Sequence, residues 1–177
     1  MERTFINAMW QNFAGAMDMF KEVIRICPED YWQNDNKFFY LSYHTLIFLD
    51  YYLSQPVSSF SPLLTYTITC GDLPTGAIDD VIPDHHFTRE EIILYVQLVR
   101  KKSRQVILES PEIKFTQRWI KDEEIHLHDL CPELVKNYTL ADILFYNLRH
   151  LQHHVGQLNF MLRQNTGLAA DWVAVAD

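Results

Sequence analysis

Two histidines four residues apart lie in the segment LRHLQHHVGQLNFMLRQ, at positions 148–164. At 3.6 residues per helical turn, His150 and His154 share one face of a helix, with side chains about 5–6 Å apart. Neutral imidazoles at this spacing can bind one metal ion between them. His153 falls on a different face, which we expect to be exposed to solvent or to a partner subunit. The spacing therefore singles out His150 and His154 as candidate metal ligands.

A pair of histidines is not yet a metal site, and a third ligand has to come from another element. His44 is the leading candidate, because it lies midway along a second apolar helix, in FFYLSYHTLIFLDYY. Taken alone, a histidine in such a setting is more often a hydrogen-bonded core imidazole. Next to a facing His150–His154 pair the ligand hypothesis gains weight, since one ion would give all three buried rings a partner. Three unrelated core histidines are the alternative.

Helical periodicity predicts four long amphipathic helices that would position these residues. They cover residues 5–26, Asn36 to about Ser54, Thr88 to about Pro111, and Leu140 to about Gln164. A chain of this length is expected to form a single domain over 1–177. The predicted fold class is all-α, a four-helix bundle with a long connection between the second and third helices. An irregular all-α domain is the alternative.

The ends of the last two helices carry specific signals. Thr88 and Glu91 form a potential capping box. Thr139 is a suitable N-cap, with Asp142 three residues later, and Gly167 is placed to end the last helix in a left-handed conformation.

The two long connections are less regular. Residues 54–87 are rich in proline, and their only strand-like segment is LLTYTITC; their role is not predicted. In the second connection we expect short helical turns around Gln117–Lys121 and Pro132–Lys136.

Composition excludes several classes of function. The net charge of −8 argues against nucleic-acid binding, which depends on clustered Lys and Arg. No apolar segment is long enough to span a bilayer, and the amino-terminal segment lacks the apolar core of a signal peptide. The three cysteines are widely spaced and contain no CxxC pair, as expected of a cytoplasmic protein.

Exposed aromatic positions such as Tyr146 and Phe160 favour a homodimer.

The segment HLQHHVGQLN, together with an upstream helical histidine and a long following connection, resembles the DinB-like superfamily. The last-helix signature of that superfamily is approximately HxxxHxGQ, and Gly156 and Gln157 match it. Many members have Glu and Arg where this chain has Leu151 and Val155.

The resemblance implies a DinB-like four-helix bundle, often dimeric, in which His44, His150 and His154 hold a divalent ion and leave positions open. Zn²⁺, Ni²⁺ and Fe²⁺ suit three imidazoles, and the metal's identity is not predicted. Related proteins include metal-dependent thiol transferases and hydrolases, so a small-molecule thiol or electrophile is the expected substrate. A non-catalytic, stress-associated bundle with a structural metal is the alternative. Asn147, Gln157 and Tyr40 lie one turn from the presumed ligands and are candidates to hydrogen-bond to them. For Tyr40, a place among the core aromatic side chains is the favoured alternative.

The remaining histidines carry weaker signals. His85 and His86 lie in a turn before the third helix, and His126 and His128 lie in an acidic loop. Their roles are not predicted. A second metal site there is the less favoured hypothesis, because no known ligand spacing matches.

Overall fold

The computed structural model describes residues 3–177, and the chain is mostly helical. Four long helices, one short helix and a small antiparallel sheet have these bounds: α1 Arg3–Ile26, α2 Glu29–Asn34, α3 Asn36–Tyr52, α4 Arg89–Glu109, α5 Leu140–Thr166, β1 Tyr66–Ile68 and β2 Val81–Pro83. The prediction of a mostly helical chain is confirmed, and the four long helices lie within a few residues of their predicted bounds. Within the described residues, none of the helices combines the length and apolar character needed to cross a membrane.

The predicted signals at the ends of α4 and α5 are confirmed. Thr88 and Glu91 form a reciprocal capping box at the start of α4, and Thr139 and Asp142 form another at the start of α5. Gly167 ends α5 with φ of 76°, and its N–H donates to the carbonyl of Arg163. These caps satisfy backbone groups that a helix end leaves unpaired, and they fix where the histidine-bearing helix begins and ends.

Helix α2 is not predicted from the sequence, because six residues are fewer than two helical turns and show no readable period. Pro28 precedes it in an extended conformation, and Glu29 and Asp30 occupy its first turn, where negative charge is favourable. Buried Trp32 anchors the helix, since its indole N–H donates to the carbonyl of Phe87 at 3.0 Å. This hydrogen bond links the segment that precedes α3 to the segment that precedes α4.

The long helices pack around a shared core in which α3 is the most enclosed. Helix α1 packs against α4 and α5, and α3 packs against α5 and α4. Thirteen of the seventeen residues of α3 are buried, which explains why its sequence is apolar on nearly every face rather than amphipathic. A histidine midway along this helix is therefore surrounded by core side chains.

The first long connection forms a small hairpin beside α3. Strands β1 and β2 are antiparallel, with Tyr66 opposite Pro83 and Ile68 opposite Val81. Strand β1 lies within the predicted strand-like segment, whereas the three residues of β2 include Pro83, which argues against a strand in the sequence. The hydroxyl of Tyr43 on α3 donates to the carbonyl of Leu64 at 2.8 Å, which holds the start of the hairpin against the helix.

In the second connection, one of the two predicted helical turns is confirmed and the other is wrong. A 3₁₀ turn at Glu133–Val135 lies within the predicted Pro132–Lys136 segment. Residues 117–121 are not helical; the 3₁₀ turns lie on either side, at Glu112–Thr116 and Asp122–Glu124. The physical reason is pairing with the chain just before α5: the N–H of Trp119 donates to the carbonyl of Tyr138 at 3.0 Å.

Candidate metal centre

The three predicted ligand residues meet between α3 and α5. Nε2 of His150 lies 3.1 Å from Nε2 of His44 and 3.0 Å from Nε2 of His154. The possible ligand atoms of all three residues lie within 4.8 Å of one another. The cluster is enclosed, since the side chain of His44 is 12% exposed and His154 is 9% exposed. Three histidines separated by up to 110 positions in the sequence thus form one compact group that could hold a metal ion.

The outer nitrogens of two rings have acceptors that fix their tautomers. Nδ1 of His44 lies 2.7 Å from a carboxylate oxygen of Asp79, and Nδ1 of His154 lies 2.7 Å from the amide oxygen of Gln157. An oxygen acceptor requires a proton on each Nδ1. In the neutral rings, Nε2 of His44 and Nε2 of His154 therefore present lone pairs toward His150.

Protons alone cannot satisfy the nitrogens inside this cluster. His150 can donate one N–H from Nε2, so it can pair with His44 or with His154, but not with both. Its Nδ1 faces away from the other two rings and has no hydrogen-bond partner among residues 3–177, with or without an ion at Nε2. Imidazole nitrogens bound to a single ion at about 2.0–2.1 Å would lie about 2.9–3.4 Å apart. The two separations that involve His150, 3.1 and 3.0 Å, fall in this range, and all three possible ligand atoms lie within 4.8 Å of one another. The donor set therefore fits a divalent metal.

Burial keeps two of the rings in the metal-binding protonation state. Burial, followed by the neighbouring rings of His154 and His44, lowers the pKa of His150 to about 3. Burial also lowers the pKa of His154 to about 4, although the hydrogen bond with Gln157 acts in the opposite direction. Both rings are neutral at pH 7, and the neutral imidazole is the form that offers a lone pair to a metal.

Aromatic side chains surround the cluster. The ring of Phe48 lies 4.7 Å from that of His44, and the ring of Tyr146 lies parallel to His150 within 16° at a centroid distance of 6.3 Å. On the outer side of α5, a depression of about 520 Å³ is lined by Tyr146, Arg149, His150, Gln152 and His153. One ring of the cluster therefore borders an accessible space of the size that accommodates a small molecule.

The three residues predicted to hydrogen-bond to the ligands lie in different places. Gln157 contacts His154 as described above. Asn147 is fully buried, and its amide donates instead to the carbonyl of Leu49 at 3.0 Å. Tyr40 packs beside Phe39, and within the described part of the chain its hydroxyl makes no hydrogen bond to any of the three imidazoles. Within residues 3–177, Gln157 is the only one of the three whose side chain hydrogen-bonds to a ring of the cluster.

Asp79 is a further residue of the site that the sequence does not predict. This residue lies in the loop of the β1–β2 hairpin, 35 positions from His44, and no spacing rule connects the two. The only signal in the sequence is an acidic residue within a long connection, and such connections are often functional. Asp79 enters the site because the hairpin folds back along α3.

The other four candidate histidines lie outside the cluster. His86 stacks on Phe39 with ring centroids 3.8 Å apart. His128 donates from Nε2 to a backbone carbonyl at 3.2 Å, and His85 and His126 are exposed. His153 is also exposed, as helical phase predicts. Within residues 3–177, the only group of metal-ligating side chains with suitable geometry is His44, His150 and His154.

Comparisons of the chain with protein-family models, with curated proteins and with solved structures find no match.

Proposed function

We propose that this chain is a divalent-metal-dependent enzyme of the DinB-like type that acts on a small molecule, with thiol transfer favoured over hydrolysis. The observation that supports the proposal is the convergence of the Nε2 atoms of the three histidines. The single N–H of His150 can pair with His44 or with His154, so hydrogen bonds alone leave one of these contacts without a proton. The proposal includes a DinB-like four-helix bundle, which agrees with the pairwise packing of α1, α3, α4 and α5.

Three neutral imidazoles leave coordination positions open, and an ion held there supplies Lewis acidity that can lower the pKa of a water or a thiol. In the part of the chain that the structure describes, no fourth His, Cys, Asp or Glu side chain joins the group. A closed structural site would require such a ligand. Zn²⁺, Ni²⁺ and Fe²⁺ are all compatible with this donor set.

The chain's own residues prepare the site in two ways. Asp79 and Gln157 keep protons on the outer nitrogens of His44 and His154, so that the inner nitrogens stay free. Phe48 and Tyr52 are buried beside the rings and limit the access of water from α3. The depression bordered by His150 leaves an approach for substrate from the side of α5.

The chain departs from many DinB-like proteins at two positions of the last helix. Leu151 and Val155 are buried in the core, at 0% and 1% exposure. Their side chains pack between helices and supply no charge to the pocket. We therefore expect substrate contacts in this chain to come from other residues that line the depression.

The test is an assay of metal-loaded, tag-free protein with a low-molecular-weight thiol and an aryl halide, and in parallel with amide substrates. We expect turnover that is lost in His44→Ala and retained in His86→Phe, a matched removal of a partly buried imidazole outside the site. Circular dichroism must show that both variants are folded. Equal turnover in His44→Ala and the wild type would contradict the proposal.

A second candidate function is a non-catalytic bundle in which the metal joins α3 to α5. The observation that favours it is that the ligands come from two different helices and are mostly enclosed. In that case His44→Ala lowers the melting temperature, and no thiol or amide substrate is turned over. Turnover that is lost in a folded His44→Ala variant would exclude this alternative.

A homodimer and a cytoplasmic location are part of the proposal as well. Phe160 is 63% exposed on α5, which agrees with a subunit contact, whereas Tyr146 is half-buried against His150 and Tyr52. Sedimentation equilibrium of the wild type and of Phe160→Ser tests the dimer. A monomeric wild type would contradict it.

A further inference from the structure

Asp79 makes two different contacts with its two carboxylate oxygens. Oδ2 accepts a hydrogen bond from Nδ1 of His44 at 2.7 Å, and Oδ1 accepts from the backbone N–H of Val81 at 3.1 Å. The first contact reaches the histidine cluster, and the second holds the carboxylate at the start of β2. A single side chain therefore connects the hairpin to the candidate metal centre.

The hairpin that carries Asp79 is held closely against α3. Gly76 has φ of 92°, and a Cβ atom at this position would lie 2.9 Å from the backbone nitrogen of Lys37. Only glycine allows this approach without displacement of the helix. Since Lys37 lies two helical turns before His44, the loop is fixed on the face of α3 that carries the histidine.

The three imidazoles differ in what lies behind them. His44 has a carboxylate acceptor, His154 has a neutral amide acceptor, and the outer nitrogen of His150 is unpartnered within residues 3–177. A carboxylate behind an imidazole fixes its tautomer and orientation and makes it a stronger ligand, and the loss of such a partner typically weakens metal binding 10–100-fold. The strongest of these contacts is therefore at His44.

We infer that Asp79 is a positioning residue of the metal centre, which holds His44 in its metal-binding orientation and couples the 65–84 hairpin to metal binding. This inference rests on the metal binding in the proposed function. Coupling is reciprocal, so a hairpin that strengthens metal binding must itself be stabilised by the metal.

Asp79→Asn and Asp80→Asn are a matched pair for the test. Asp80 carries the same charge at the adjacent position and is exposed, and among the described residues its side chain makes no hydrogen bond or ion pair. Affinities for Zn²⁺, Ni²⁺ and Fe²⁺ are measured by competition with a chromophoric chelator. For the ion that the wild type binds most tightly, we expect about 10–100-fold weaker binding in Asp79→Asn. In Asp80→Asn we expect a change of less than about threefold, because an exposed charge is screened.

Hydrogen exchange measures the coupling independently of affinity. In the wild type, saturating metal should slow the exchange of amides in 65–84, including that of Val81. In Asp79→Asn at saturating metal, this additional protection should be absent, while α5 remains protected. If the wild type binds metal, and Asp79→Asn matches it in both affinity and protection, the role of Asp79 is contradicted while the proposed function stands. If the wild type binds none of the three ions, the role of Asp79 and the proposed function are both contradicted.

Discussion

Two imidazole environments with aromatic neighbours lie in different parts of this molecule, and they differ in where the ring nitrogens point. In the cluster of His44, His150 and His154, the Nε2 atoms face one another at 3.0 and 3.1 Å. His86, by contrast, lies face to face with Phe39 at a centroid distance of 3.8 Å. Both of its ring nitrogens are buried and have no hydrogen-bond partner among residues 3–177. The cluster presents nitrogens to a common point, whereas His86 serves as an aromatic surface.

The comparison shows that burial among aromatic side chains does not by itself identify a functional histidine. Both environments have aromatic neighbours, and burial lowers the pKa both of His86 and of His150. What distinguishes the cluster is that several nitrogens converge and that acceptors behind two of the rings fix the tautomers. These two features are geometric, and they can be tested by removing one environment at a time.

The largest expected effect is metal-dependent stabilisation of the wild-type protein. An ion at 100 times its Kd raises the free energy of unfolding by about 2.7 kcal/mol, because it binds only the folded state. We expect this gain in the wild type and in His86→Phe, and its loss in His150→Ala. Denaturant unfolding with Zn²⁺ or with a chelator measures it. If His150→Ala showed the same metal-dependent increase in the free energy of unfolding as the wild type, the cluster would not be the metal-binding environment.

A smaller effect is expected from Asn147, which lies one turn before His150. Its amide N–H donates to the carbonyl of Leu49 in the last turn of α3, where carbonyls lack the usual partner four residues on. Asn147→Ala should lower the free energy of unfolding on the order of 2 kcal/mol, because a buried acceptor loses its donor. Denaturant unfolding of the metal-free variant measures this loss. Metal affinity should change by less than about threefold, and a change comparable to that of Asp79→Asn would place Asn147 within the site.

The smallest effect is a pH dependence that comes from His86. Because burial lowers the pKa of His86, the unfolded chain takes up a proton at this residue before the folded chain does. His86 therefore does not lower the free energy of unfolding above the ordinary histidine pKa, near 6.5. As the pH falls below that value, protonation of the unfolded chain at His86 lowers the free energy of unfolding. The ring is partly exposed, so the effect is small.

His86→Phe isolates that contribution, because a phenyl ring can stack on Phe39 in the same way. Melting temperatures of the metal-free proteins at pH 7.5 and pH 5.5 should show a smaller acid-induced decrease in His86→Phe than in the wild type. The other histidines are unchanged between the two proteins and cancel in the difference. An identical decrease in both would show that His86 is not held in its neutral form.

The helices and the His150–His154 pair could be predicted because they rest on local periodicity and on standard end signals. The i, i+4 spacing places His150 and His154 together whatever else the chain does, and Thr139 and Gly167 mark the ends of their helix. His44 required a further step, since only the packing of α3 on α5 brings it to the other two.

The rest of the site could not be predicted because it depends on contacts that are distant in sequence. Asp79 reaches His44 only after a three-residue strand, β2, pairs with β1, and strands this short carry almost no pattern. Asn147 has the correct helical phase for the cluster, yet its amide N–H donates to a carbonyl at the end of α3. Helical phase shows on which face of the helix a residue lies. Its hydrogen-bond partner depends on which polar groups of the neighbouring element lack a partner.

The central claim is that His44, His150 and His154 together hold one divalent ion, and adjacent residues of α5 allow a direct test. His153 is exposed and His154 belongs to the cluster, with ring centroids only 5.0 Å apart. Metal content of tag-free protein after loading and gel filtration should be one ion per chain in the wild type and in His153→Ala, and none in His154→Ala. Equal metal content in His153→Ala and His154→Ala, whether one ion or none, would contradict the claim.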